Sequence, residues 1–167
     1  TWVDRSGRRV GTATRRLALG GFAISPDERT LVYASAGSGG RRDLWLQPIH
    51  GGSPSRFTFG DGGAGWASPH WAASGTRIVY ATQDVAGEAR YELRTRRVDR
   101  SGAEEIVAAG AGIIRPWDSS PEGQRVLYSD EQGGIFLLSL GKGARPERLT
   151  NDPSNAAQFS PDGRLVA

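Results

Sequence analysis

The sequence predicts an all-β fold: a β-propeller fragment of about four blade equivalents, each a four-stranded antiparallel sheet. Three observations predict it. First, one short pattern recurs four times. It runs from Ser25-Pro26-Asp27-Glu28 to Leu31-Val32-Tyr33, from Ala72-Ala73-Ser74-Gly75 to Ile78-Val79-Tyr80, and from Ser120-Pro121-Glu122-Gly123 to Val126-Leu127-Tyr128. A fourth copy, Ser160-Pro161-Asp162-Gly163, ends at Ala167, one residue before its aromatic would fall. Second, the copies begin 47, 48 and 40 residues apart, close to the period of short-strand propeller repeats. Third, turn residues alternate with β-branched and aromatic runs, and no stretch carries helical periodicity.

Each repeat reads as four strands, a to d. Strand a precedes the turn and covers 22–24, 70–72, 115–119 and 156–159. In the turn, proline presets one torsion, aspartate bonds back to the local backbone, and the fourth position needs a positive φ that glycine supplies cheaply. Such a hairpin is of the type I plus bulge kind. Strand b runs through Tyr33, Tyr80 and Tyr128. Strand c is expected at 43–49, 91–98 and 135–140, and strand d at 55–59, 104–108 and 147–150.

One c–d turn occurs verbatim twice, as Val3-Asp4-Arg5-Ser6-Gly7 and Val98-Asp99-Arg100-Ser101-Gly102, 95 residues or two periods apart. The N-terminus therefore enters in strand c of an earlier blade, with 8–13 as its strand d. The expected division is a partial blade at 1–20, whole blades at 21–65, 66–112 and 113–155, and the start of another at 156–167. A chain with no methionine at position 1, ending inside a strand b, reads as an arc of a larger ring, the alternative being that its terminal strands combine into one composite blade and close a four-bladed ring. The remaining blades of a parent chain would be its first partner.

Strand alternation sorts the inner strands into two columns. The residues one and three before the turn are Ile24/Phe22, Trp71/Pro69, Ser119/Trp117 and Phe159/Ala157. Mostly apolar, they are expected to fill the wedges between blades. The intervening column reads Ala23, His70, Asp118, Gln158. It is more polar and borders the central channel, so His70, Asp118 and Gln158 are the candidate ligand residues. The competing expectation is that these groups bond to neighbouring blades, as buried polar groups must bond to something. Trp66, in the d-to-a loop at the channel mouth, is the candidate anchor for a protein or peptide partner, since tryptophan dominates interface hot spots.

Composition narrows the function. The chain is 37% hydrophobic and 23% charged, which is globular. No apolar run reaches a membrane span, so no direct membrane insertion is expected. Of 21 basic residues only Lys142 is a lysine, and the arginines are dispersed among 18 acids. Such interspersion predicts no nucleic-acid partner, whose footprint is a one-sided basic patch. There is no cysteine, hence no disulfide and no thiolate metal site.

Catalytic constellations are missing. The nearest approach to a serine elbow, Ala36-Gly37-Ser38-Gly39-Gly40, lacks its first glycine and lies in a loop rather than at a strand-to-helix turn. The two histidines, His50 and His70, show no zinc-ligand spacing. No catalytic residue, metal site or cofactor is assigned.

The Ser-Pro-Asp-Gly turn followed by Leu165-Val166, the run Arg148-Leu149-Thr150-Asn151-Asp152 before it, and Asp43-Leu44-Trp45 resemble the WD40-like repeat of TolB-type propellers. The opening Trp2-Val3-Asp4-Arg5-Ser6-Gly7-Arg8 is similar to propeller regions attached to bacterial serine/threonine kinases. Glu28 in place of the turn glycine, and Ala72-Ala73-Ser74 in place of Ser-Pro-Asp, depart from the pattern. The resemblance implies a non-catalytic binding or sensing module of a larger bacterial protein, in a periplasmic or other extracytoplasmic location. It also implies an alternative: the substrate-gating propeller of a prolyl-oligopeptidase-like or tricorn-like serine peptidase.

Overall fold

The computed structural model describes residues 1–12, 19–36, 42–59, 68–72, 75–84, 90–141, 143–151, 153 and 156–167, without the side chains of 19, 20 and 84. Its strands form one two-stranded and three four-stranded antiparallel sheets. The first sheet pairs β1 (Trp2–Val3) with β2 (Arg9–Gly11). The second runs β3 (Leu19–Ile24), β4 (Thr30–Ala36), β5 (Arg42–Pro48), β6 (Ser55–Arg56). The third runs β7 (His70–Trp71), β8 (Arg77–Asp84), β9 (Arg90–Arg97), β10 (Glu105–Gly110), and the fourth β11 (Arg115–Ser119), β12 (Arg125–Ser129), β13 (Ile135–Ser139), β14 (Glu147–Arg148). Beyond it, Phe159 and Val166 begin one more antiparallel pairing. Each full sheet is a meander in chain order, the blade of a β-propeller.

The four turns share one hydrogen-bond design. The N–H of the fourth residue donates to the carbonyl of the first, at 2.8 Å in Glu28→Ser25, 2.7 Å in Gly75→Ala72, 2.7 Å in Gly123→Ser120 and 2.8 Å in Gly163→Ser160. The fourth residue has positive φ every time: 58° at Glu28, 67° at Gly75, 72° at Gly123 and 70° at Gly163. Where serine opens the turn, its hydroxyl accepts the N–H five residues on, at Thr30, Arg125 and Leu165. Glu28 therefore occupies a conformation that glycine adopts without a Cβ penalty.

The verbatim c–d turn folds two ways. In the first copy the Gly7 N–H closes onto the Asp4 carbonyl at 2.9 Å; in the second the Arg100 N–H closes onto the Arg97 carbonyl at 3.0 Å, with Arg100 at φ 61°. What the copies share is the aspartate cap. Asp4 and Asp99 each accept the N–H and hydroxyl of the serine two residues on.

Alternation along the b strands builds the core between blades. Val32 and Ala34 join Leu44 and Phe57 of the second sheet to Trp71, Ile78 and Tyr80 of the third. Val79 and Leu93 of the third meet Val126, Tyr128 and Leu138 of the fourth. Leu127 and Ile135 of the fourth meet Ala157 of the final repeat. In the third and fourth sheets one b-strand residue, Val79 or Leu127, faces forward while its neighbours face back; in the second sheet both Val32 and Ala34 face forward.

Phe57 enters its core by shortening strand d, which was expected to reach residue 59. β6 stops at Arg56 because the N–H groups of Phe57 and Thr58 both turn onto the Leu44 carbonyl, at 2.7 and 3.4 Å. That bend leaves Phe57 fully buried and Phe59 59% exposed.

Two expectations for the wedge column are corrected. Phe22 and Ile24 are 62% and 38% exposed. Their column faces the preceding blade, of which the described residues include β1 and β2. Trp117 does not share a face with Ser119. The β11–β12 register slips between Pro116 and Asp118, and this bulge turns Trp117 forward against the Leu127–Ile135–Ala157 core.

Candidate functional site

The inner strands of three consecutive repeats converge on a pocket of about 420 Å³. Gly21 and Phe22 come from β3, Ser68 to His70 from the approach to β7, and Pro116 and Trp117 from β11. Prolines suit these positions. An inner strand borders the channel and has a free edge, so a missing N–H breaks no ladder. Pro69 and Pro116 are buried, while Phe22 projects into the opening.

The inner strands are tied to one another by polar groups as well as by packing. Trp71 Nε1 donates to the Ala23 carbonyl at 3.1 Å, joining the third sheet to the second. His70 bonds to the Pro116 backbone, joining the third to the fourth. Asp118 Oδ2 accepts the Phe159 N–H at 2.9 Å, joining the fourth to the final repeat, while its Oδ1 accepts the Ser119 N–H at 2.8 Å.

Burial pushes the His70 imidazole below its ordinary value. The Asp118 carboxylate and the bond to Pro116 pull it back in part. A neutral imidazole can donate one hydrogen bond and accept another. Near it, the Trp117 indole N–H and the Ser119 hydroxyl are buried without a partner among the described residues. Of these two residues only Trp117 lines the pocket. The pocket thus combines apolar walls with a small number of polar groups, the usual composition of a recognition site.

Of the four sequence-based candidates, His70 lines this pocket. Asp118 lies beside it, but both carboxylate oxygens serve backbone N–H groups. Gln158 is exposed, and its backbone pairs with Ala167 in both directions at 2.9 and 3.0 Å. Trp66 lies outside the described residues. Sequence reasoning placed Phe22 and Trp117 among the packing residues. Among the described residues the first is 62% exposed and the second is turned by a bulge, which leaves no mark in the local sequence. Among the described residues no three His, Asp or Glu side chains gather as a metal ion would require.

No protein-family model and no curated protein sequence matches the chain. Solved structures do. One described as TolB from Agrobacterium tumefaciens is 25% identical, with a TM-score of 0.69 over 87% of this chain and 52% of that one. TolB from Acinetobacter baumannii is 20% identical, with a TM-score of 0.74 over 99% of this chain and 41% of that one. A puromycin-hydrolyzing peptidase from Mycobacterium tuberculosis is 19% identical, with a TM-score of 0.62 over 86% of this chain and 23% of that one. The fold is a β-propeller fragment similar to TolB. The chain spans about half the length of the TolB structures it resembles.

Proposed function

We propose that this chain is a non-catalytic binding module, a propeller segment of a larger bacterial protein that holds a protein or peptide partner at the channel end of its inner strands. One observation carries the reading: Phe22, His70 and Trp117, from three different repeats, line one pocket walled by Pro69 and Pro116. Each inner strand contributes one or two side chains, and rigid blades hold them in place. Such a surface recognises an extended chain by shape and a few hydrogen bonds, with little ordering cost on the protein side. An extracytoplasmic location accords with the likeness to TolB.

The alternative, a propeller that gates a serine peptidase, draws on the likeness to the puromycin-hydrolyzing peptidase. It requires a hydrolase segment in the same polypeptide. In that case the inner-strand pocket would be a passage wall rather than a binding site.

The test is selection of a random peptide library on the purified chain, repeated on a Phe22→Ser/Trp117→Phe double variant. The expected result is a family of peptides that bind the parent chain at least about tenfold more tightly than the variant, the size of one lost aromatic contact with its hydrogen bond. Selected peptides indifferent to both substitutions, or none at all, would refute the binding-module reading.

A further inference from the structure

The tyrosine that ends the recurrent pattern marks a second site. Tyr80 and Tyr128 hold the same place in their repeats, opposite Arg94 and Phe136 in the b–c ladders. Tyr80 is 1% exposed, and its hydroxyl donates to Glu104. In turn, Arg94 and Phe136 face Ile106 and Arg148 in strand d. Two residues before Ile106 stands Glu104; two residues before Arg148 stands Pro146. Proline has no carboxylate to give. Tyr128 is 6% exposed, yet its hydroxyl has no hydrogen-bond partner among the described residues.

Tyr128 lines a pocket of about 360 Å³. Small residues at 109–112 and Ile114 form one wall, Tyr128 and Phe136 another, and the turn residues Asp130, Glu131 and Gln132 the rim. Among the described residues no lysine, arginine or histidine lines it, although the chain carries a net charge of +3. Asp130 Oδ1 holds the turn by accepting the N–H groups of Gln132 and Gly134, both at 3.1 Å. The Glu131 side chain lies across Gly112 so closely that a Cβ there would overlap it. The aromatic wall is a stacked pair, its centroids 5.2 Å apart and its planes 13° from parallel. Arg148 already places a guanidinium 5.4 Å from the Phe136 centroid, so this pair tolerates a cation on a ring face.

We propose that this pocket, between the second and third full blades, binds the ammonium or guanidinium end of a lysine or arginine side chain presented by a peptide. The Asp130 and Glu131 carboxylates balance the incoming charge, and the Tyr128 oxygen accepts a hydrogen bond from it. The volume suits one long side chain. Burial and the nearby Asp130 charge push the Tyr128 phenol up to about 12, which keeps it protonated and neutral beside the ligand.

The test uses the purified 167-residue chain and three small probes: the N-acetyl methylamides of lysine, arginine and norleucine. Binding is followed through the backbone amide resonances of 130–134. The lysine or arginine probe is expected to titrate these signals at least about fivefold more tightly than the uncharged norleucine probe. Glu131→Gln and Tyr128→Phe are each expected to weaken that probe about fivefold, with melting temperatures within about 2 °C of the parent. Equal affinity for all three probes, no titration of these amides, or indifference to both substitutions would overturn the proposal. No described residue lines both this pocket and the inner-strand pocket, so the two tests succeed or fail separately.

Discussion

The carboxylate of Asp118 accepts the backbone N–H of Phe159 at 2.9 Å, across the boundary between two repeats. His70, one repeat earlier in the same column, reaches forward to the Pro116 backbone, its imidazole donating where Asp118 accepts. Two members of the column two residues before the turn, His70 and Asp118, thus tie inner strands together. They work beside the apolar wedges and orient their blades against the next.

Asp118→Ala should destabilise the chain by about 1–3 kcal/mol, because it leaves the Ser119 and Phe159 N–H groups without their acceptor. Asp118→Asn, which keeps one oxygen, should lose less. Denaturant midpoints of the three proteins check the order. An alanine variant as stable as the parent would mean that water replaces the carboxylate at no cost.

Stability should fall as pH drops from about 7 towards 5. The folded-state value of His70 lies below its ordinary 6.5 because burial disfavours the imidazolium. Its contribution is therefore complete above the unfolded value and is lost as pH falls from there through the depressed folded value. His70→Gln should flatten the slope in this window. Thermal melts at half-unit pH steps compare the two proteins, and parallel curves would show that another group governs the decline.

The turn conformation predicts opposite signs for two substitutions at one repeat position. Gly123, at φ 72°, should cost about 1–3 kcal/mol when replaced by valine, since a β-branched residue is strained there. Glu28, at φ 58°, should gain up to about 1 kcal/mol when replaced by glycine, the Cβ penalty being larger than the added chain entropy. Urea midpoints for G123V and E28G measure both, and shifts of the same sign would contradict the shared turn geometry.

Tyr80→Phe and Tyr128→Phe remove the same atom from equivalent sites with unequal surroundings. Tyr80 donates to Glu104, which burial already pushes towards its neutral form and which also pairs with Arg94. Its loss should cost about 1–2 kcal/mol. Among the described residues Tyr128 makes no such bond, so its loss should change stability by less than about 0.5 kcal/mol. Equal losses in equilibrium unfolding would remove the distinction between the two tyrosines.

Trp71→Phe isolates the hydrogen bond from the packing. Phenylalanine keeps most of the contact with Val32, Leu44 and Phe57 but cannot donate to the Ala23 carbonyl. The expected cost is about 1–2 kcal/mol, against about 3–5 kcal/mol for Trp71→Ala. Chemical denaturation of both variants gives the comparison.

The fold was legible because its signal is local and repeated. A turn sequence such as Ser120-Pro121-Glu122-Gly123 specifies its own torsions, and the alternating run to Tyr128 specifies a strand with two faces. Recurrence at near-constant spacing then implies blades. Even Glu28, a departure in sequence, keeps the backbone of its glycine counterparts, because the hairpin around it dictates that conformation.

Pockets carry no such local signal. The sequence by itself determined the all-β repeat, its turns, and a polar inner column containing His70 and Asp118. Tertiary structure alone decided that a bulge beside Pro116 turns Trp117 forward, that Phe22 lines the inner-strand pocket, and that among the described residues Tyr128 lacks the acid its counterpart Tyr80 holds. Each of these depends on what a neighbouring blade or strand brings within a few ångströms. Strand periodicity assigns a side chain to a face, but only packing decides what that face meets.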